Sequence, residues 1–329
     1  MSHRKSAAPP RFGKVRAYCA LAFLLAVSAG CGGDDAGPAG VTKIVVEPNQ
    51  TLSTAPHRFD VYRPEDADKA IVFMHGGGGT KELFAYQLGV KRTAGDSDYD
   101  AENEQILIDN KAIAVFPQGQ AIPSAPAAYT WNNYVMDSGQ DDLQFIRDLV
   151  AHISTQFGVS RIFVVGHSNG GMMVNRVWCE APELFEAYIA ISGPPSQRFE
   201  DTQTPCAPAI AKPFLTIVGA RDDVLQNDDW EAQSWTVNPI LAASPAFVDP
   251  VLIGDRFMFP ERVTRRCGGT VQSGDADAVK DGKLATWSFC DGSIELIRVE
   301  TAGHSVDSLE SASGRSLLEF AFDFINAPR

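Results

Sequence analysis

Gly166-His-Ser168-Asn-Gly170 is a five-residue pattern that can present a serine oxygen for nucleophilic attack. The pattern is common by chance, so its weight comes from what surrounds it. Arg161-Ile-Phe-Val-Val165 before it reads as a buried strand, and Gly171, Met172, Met173, Val174 and Val177 after it read as a helical run. A tight strand-to-helix turn would lift the serine clear of a sheet. Glycine at the flanking positions would avoid collision with the neighbouring strand and helix. The new helix would also aim backbone N–H groups at developing negative charge. The rival reading is a plain strand–helix turn in which glycine serves packing alone.

A serine hydroxyl needs a base to take its proton, normally a histidine. The chain has six histidines. His3 lies in a basic N-terminal segment, His57 starts an early strand, and His152 is expected on the outer side of a helix. His75 opens a glycine loop, and His167 is too close in sequence to aim back at the Ser168 oxygen. His304 remains, in Thr301-Ala-Gly-His-Ser305, on a loop after the last strand. Ligands bind at such carboxyl-terminal sheet edges. The third member, a carboxylate that orients the imidazole, should follow a later strand. Pro213-Phe-Leu-Thr-Ile-Val218 is that strand, and Asp222 and Asp223 both follow it. The residues alone specify the loop better than the aspartate.

Acyl transfer also needs donors for a tetrahedral oxyanion. Ile71-Val-Phe-Met-His75 runs into Gly76-Gly-Gly-Gly79, whose bare backbone can approach a substrate oxygen. The N–H groups of Asn169 and Gly77 are the expected pair. A phosphate-binding reading of the glycines is weak, because no Lys-Ser/Thr follows in the required spacing.

These residues need a scaffold. Short apolar runs alternate with helical patterns, which predicts an α/β fold: a mostly parallel central sheet with helices on both faces. Expected strands are His57–Tyr62, Ala70–Met74, Ala112–Phe116, Arg161–Val165, Tyr188–Ser192, Pro213–Val218, Leu284–Phe289 and Ile294–Val299. The clearest helix is Asp141–Phe157, with Leu143, Ile146, Leu149, Val150, Ile153 and Phe157 on one face and Asp141 and Asp142 at its N-terminus. A last helix is expected over Ser308–Phe324. Residues 227–260 break the rhythm, with Trp230, Trp235 and several prolines, and read either as a lid insertion over the site or as a packed surface excursion.

The 329 residues carry a formal net charge of −13. Arg4, Lys5, Arg11, Lys14 and Arg16 all precede residue 31, where there are no acids. Without them 23 basic and 41 acidic residues remain, a charge of −18. Such a chain repels phosphate backbones, so nucleic acid is not an expected partner. The basic stretch leads into the apolar run Ala17–Val27 and then Ser28-Ala-Gly-Cys31, so residues 1–30 read as a signal peptide. Ser-Ala-Gly-Cys resembles a bacterial lipoprotein signal, with Cys31 the acylated residue. Cleavage after Ala29, giving a soluble secreted protein, is the alternative. Residues 31–41 form a flexible tether and residues 42–329 a catalytic domain. The expected location is exported, extracellular or periplasmic, with outer-membrane anchoring if Cys31 is lipidated. Cys179, Cys206, Cys267 and Cys290 remain, an even number that suits export. Of the three pairings, the sequence-local one joins Cys179–Cys206 and Cys267–Cys290. No Cys-x-x-Cys or His-rich spacing calls for a metal, and no cofactor is expected.

Taken in order, His75-Gly-Gly-Gly-Gly79, Trp131-Asn132, Asp141-Asp142-Leu-Gln-Phe-Ile146, Gly166-His-Ser-Asn-Gly-Gly-Met172, Gly219-Ala-Arg-Asp222 and Gly303-His304-Ser305 resemble the polyhydroxybutyrate depolymerase and feruloyl esterase family of α/β-hydrolases. The resemblance spans about residues 55–325. It implies a triad of Ser168, Asp222 and His304, favouring Asp222 over Asp223. It also implies a Cys267–Cys290 bridge close to the histidine loop and an aromatic residue, Trp131, near the substrate cleft. The family often has tryptophan two residues after the histidine, where this chain has Val306. The implied activity is hydrolysis of a small or oligomeric carboxylic ester. A serine peptidase on the same fold and a non-catalytic binding lipoprotein are the alternatives.

Overall fold

Ten strands form one continuous sheet in the computed structural model, which describes residues 44–95, 104–123, 125–200, 205–229, 234–238, 255–271 and 278–328. The expected signal peptide, Cys31 and the tether lie outside the described residues. Strands β1 (Ile44–Thr51), β2 (Arg58–Pro64) and β3 (Lys69–Met74) precede helices α1 (Lys81–Gln87) and α2 (Glu104–Asp109) and strand β4 (Ala112–Pro117). The pair β5 (Gln120–Ile122) and β6 (Ala125–Thr130) leads to α3 (Asp142–Phe157), β7 (Arg161–His167), α4 (Asn169–Glu180) and β8 (Tyr188–Ile191). Next come β9 (Phe214–Gly219), the pair β10 (Leu225–Asp229) and β11 (Ser234–Val237), and α5 (Asp255–Cys267). The chain ends with β12 (Val279–Asp281), β13 (Leu284–Phe289), β14 (Ile294–Val299), α6 (Val306–Ser313) and α7 (Leu317–Asn326).

The sheet order is β1-β2-β4-β3-β7-β8-β9-β14-β13-β12. The six strands from β4 to β14 in that order are parallel, and the two at each edge pair antiparallel. Every residue of β3, β4, β8 and β9 is buried. Covered strands of this kind are apolar along their whole length, which is why they were legible as short apolar runs. Residues on alternate sides of each strand enter two cores. One packs α3, α4 and α5 through Phe145, Ile146, Leu149, Val174, Trp178 and Val263. The other packs α1, α2, α6 and α7 through Phe84, Leu107, Leu309 and Phe320. Helices therefore cover both faces, as the sequence pattern predicts.

From β3 the chain steps to β4 on one side and later to β7 on the other. The connections from the parallel neighbours β3 and β7 run to opposite sides, so a crevice opens beyond their carboxyl ends. The glycine loop leaves β3 there, and Ser168 leaves β7.

Three details differ from the sequence reading. The single last helix is two helices. Gly314 ends α6 in the left-handed region (φ 73°), and Ser316 with Glu319 forms a capping box that starts α7. Strand β1 was not anticipated. It is an edge strand carrying Pro48 and a register shift between Glu47 and Gln50, both of which mask the pattern of a strand. Within 227–260 the described residues complete β10, form β11 and begin α5. Residues 230–233 and 239–254 lie outside the described residues.

Disulfides join Cys179 to Cys206 and Cys267 to Cys290. The second links α5 to the turn before β14, whereas His304 follows the other end of that strand. Six residues of β14 separate the two ends by roughly 20 Å, so this bridge is not close to the histidine loop. The first ties the end of α4 to the segment before β9. Opening it with Cys179→Ala and Cys206→Ala together lowers the free energy of unfolding by about 2–4 kcal/mol, from the released chain entropy; denaturant titration of the two proteins measures this.

Candidate active site

Strand β7 delivers Ser168 to the first turn of α4 with φ 52° and ψ −118°. A non-glycine residue is rarely held there, and the strain is of the kind found at functional turns. The turn exists because its flanks have no side chains. A Cβ at Gly166 would lie 2.3 Å from the Gly170 carbonyl oxygen, and one at Gly170 would lie 2.1 Å from that of Met74. Ser168 N–H donates to the Ile191 carbonyl at 2.8 Å, and its own carbonyl accepts from Met172 N–H at 2.9 Å.

The structure brings together three of the residues singled out by the sequence. Ser168 Oγ lies 2.8 Å from His304 Nε2, and His304 Nδ1 lies 2.7 Å from Asp222 Oδ2. The carboxylate can only accept, so Nδ1 carries the proton and Nε2 accepts from the serine hydroxyl. Asp222 is 8% exposed, and its other oxygen accepts from Val224 N–H (2.9 Å) and Leu225 N–H (2.7 Å). Asp223, the alternative, is exposed and makes no hydrogen bond to the imidazole.

The His304 loop is pinned at three points. Ser305 caps α6, Gly303 N–H donates to Ser308 Oγ at 2.7 Å, and His167 Nε2 donates to the His304 carbonyl at 2.9 Å. His167, too close in sequence to serve Ser168 as a base, does not bond its oxygen. Its contribution lies with the backbone of another histidine, 137 residues away, which local sequence does not reveal.

Asn169 and Gly77 face each other: a Cβ at Gly77 would sit 3.4 Å from Asn169 Cβ. Asn169 N–H is the first of α4 and has no intrahelical acceptor. Gly78 N–H is held by Tyr129 and Gly79 N–H by Gly76, whereas Gly77 N–H has no acceptor among the described residues. The Asn169 side chain is engaged by its neighbours, accepting from Trp131 N–H (2.8 Å) and contacting Met136 Sδ (3.1 Å).

Trp131 does not line the cleft. It is fully buried behind the cavity wall, where its indole N–H donates to the His75 carbonyl at 3.0 Å. A buried indole needs such a partner, and here the bond steadies the entry to the glycine loop. Asp142, read as a charge at a helix end, is buried as well. It bonds His57 Nε2 (2.6 Å), Asn132 N–H (2.5 Å) and Ser138 Oγ (3.1 Å), while Asp141 caps α3. Val306, where the resembling family often has tryptophan, is the buried first residue of α6.

A family model described as the prolyl oligopeptidase family matches residues 130–225, less than a third of the chain, including Ser168 and Asp222. No curated protein matches the chain. Among solved structures it is similar to a ferulic acid esterase, at 15% identity over 87% of this chain and 99% of that one (TM-score 0.48). It is also similar to a predicted CIB-like hydrolase from Thermoplasma acidophilum, at 14% identity over 86% and 99% of the two chains (TM-score 0.45). A third is esterase PE8, at 18% identity over 75% and 91% (TM-score 0.42). The covered parallel sheet, the strand–serine–helix elbow and the chain order Ser168, Asp222, His304 belong to one architecture. The chain has the α/β-hydrolase fold.

Two further histidines of this α/β-hydrolase crevice are neutral. His75 Nε2 accepts from Gly119 N–H and Gln118 Nε2, both at 2.9 Å, so its proton sits on Nδ1 and bonds the Gly76 carbonyl. Burial lowers its pKa to about 4. Burial, aided by the nearby His304, lowers that of His167 to about 4. Both folded values lie below the unfolded value near 6.5. Their stabilisation is therefore complete above pH ~6.5 and lost as pH falls towards 4. His75→Gln is expected to flatten the dependence of unfolding free energy on pH across this window by up to about one proton; denaturant titrations at stepped pH read the slope.

Proposed function

We propose that the chain is a serine hydrolase of carboxylic esters working through an acyl-enzyme. The observation that carries the reading is the hydrogen-bonded line Ser168–His304–Asp222, with 2.8 and 2.7 Å contacts, ending on a strained serine. In this reading Ser168 Oγ attacks the ester carbonyl carbon while His304 Nε2 takes its proton. Asp222 holds the imidazole and stabilises its charged form. The N–H groups of Asn169 and Gly77 receive the oxyanion. His304 then returns the proton to the departing alcohol. Water, deprotonated by the same nitrogen, releases the acid and frees Ser168.

The finer assignment is to the polyhydroxybutyrate depolymerase-like or feruloyl and acetyl esterase-like enzymes, supported by the motifs His75–Gly79, Gly166–Met172 and Gly303–Ser305. We also propose that the protein is exported, with residues 1–30 as signal and Cys31 as the acylated residue. Two disulfides suit an oxidising compartment.

The family match over residues 130–225 favours one second reading, a serine peptidase. A peptidase that reads a peptide terminus would need a charged anchor. Among the described residues none of the cavity-lining side chains is Asp, Glu, Lys or Arg. Matched amide and ester substrates separate the two readings, and the ester is expected to be turned over far faster.

Ser168→Ala is expected to lower p-nitrophenyl acetate hydrolysis by about three orders of magnitude or more, as losses of a triad member do. It should also abolish labelling by a fluorophosphonate probe. Undiminished turnover in this variant refutes the assignment.

A further inference from the structure

The crevice beside Ser168 holds an open cavity of about 390 Å³. Beyond the reacting groups, its walls are Leu83, Phe84, Met136, Met172, Val224 and Leu225. Most polar atoms that reach it are already engaged, His167 Nδ1 excepted. Both ring nitrogens of His75 are bonded, His167 Nε2 holds the His304 carbonyl, the Asn169 amide is engaged by its neighbours, and Thr80 Oγ1 caps α1. Only the half-buried Gln87 side chain makes no hydrogen bond among the described residues.

The walls are set by the same main-chain bonds as the reacting groups. Val224 and Leu225 follow Asp222 and donate their N–H groups to its carboxylate. Met172 stands one helical turn after Ser168 and donates to its carbonyl. Leu83 N–H donates to the Thr80 cap at 3.1 Å. Val224, Leu225 and Met172 are thus fixed by the same main-chain bonds that hold Asp222 and Ser168. A charged group carried into the cavity sheds part of its hydration and finds no counter-charge among the described residues that line it.

We infer that this site takes esters of uncharged, apolar acyl groups and rejects acyl chains that end in a carboxylate or an ammonium group. The inference rests on the ester-hydrolase reading above and adds which part of the ester is enclosed. In this proposal the acyl group, which stays on Ser168 until water releases it, lies on the walled side, and the departing alcohol towards solvent.

The test compares three esters with one leaving group on the intact protein. They are p-nitrophenyl hexanoate, mono-p-nitrophenyl adipate and p-nitrophenyl 6-aminohexanoate, which share a six-carbon acyl chain and differ in its terminal group. The expected result is a kcat/KM for both charged esters about a hundredfold or more below that of hexanoate. Values within about threefold of one another overturn the inference. If wild-type protein cleaves hexanoate no faster than Ser168→Ala does, the ester-hydrolase reading itself fails, which is a distinguishable outcome. Val224→Lys, at a half-buried wall position, is expected to raise adipate relative to hexanoate by about tenfold while lowering 6-aminohexanoate further. Gln87→Lys tests the same point from α1 if Val224→Lys does not fold. An unchanged adipate-to-hexanoate ratio in a folded variant removes that residue from the acyl wall.

Discussion

Much of this molecule depends on one backbone constraint, the left-handed conformation of Ser168 between β7 and α4. Such a residue costs on the order of 1–3 kcal/mol and persists only where its surroundings over-determine it. Here they do. The strand is locked between β3 and β8, the serine N–H is held by Ile191, and its carbonyl is held by Met172. Two glycines let strand and helix approach closely enough for the turn to close. From that one conformation follow the exposure of Oγ, the direction of the first N–H of α4, and the distance to His304.

The three histidines of the crevice show how environment divides one side-chain type into different tasks. His304 has a carboxylate on one nitrogen and a hydroxyl on the other, the two contacts the proposed base needs. His75 and His167 are stripped of water and used as fixed neutral hydrogen-bonding groups, one holding the glycine loop and one the His304 backbone. A second positive charge beside the proposed base would oppose the imidazolium that the proposed mechanism requires. Burial prevents that charge.

The loops that carry reactive groups also form the cavity. The turn that orients Asp222 supplies Val224 and Leu225, and the helix that starts at Ser168 supplies Met172. Behind them, Trp131 and Asn169 tie the loop after β6 to both the glycine loop and α4. The cavity walls and the Ser168–His304–Asp222 line therefore hang on the same main-chain bonds.

Several features are local in origin and were legible in the chain as written. Strands covered on both faces are apolar throughout, so β3, β4, β7, β8 and β9 stood out, and glycines beside a serine announced the elbow. The break at Gly314 and the Ser316-x-x-Glu319 box are equally local, but the apolar pattern continues across them and hides the division. Other features depend on contacts between distant residues. Asp222 is separated from Asp223 by the direction each side chain takes after β9, which main-chain donors decide. Trp131 lies behind the cavity because its indole N–H finds the His75 carbonyl, and His167 earns its place through a carbonyl 137 residues away. The distance of the Cys267–Cys290 bridge from His304 follows from β14 running between them. Residue type and spacing determined which chemistry the chain can attempt. Only the packed sheet, by bringing the ends of separate strands to one edge, decided which atoms meet to carry it out.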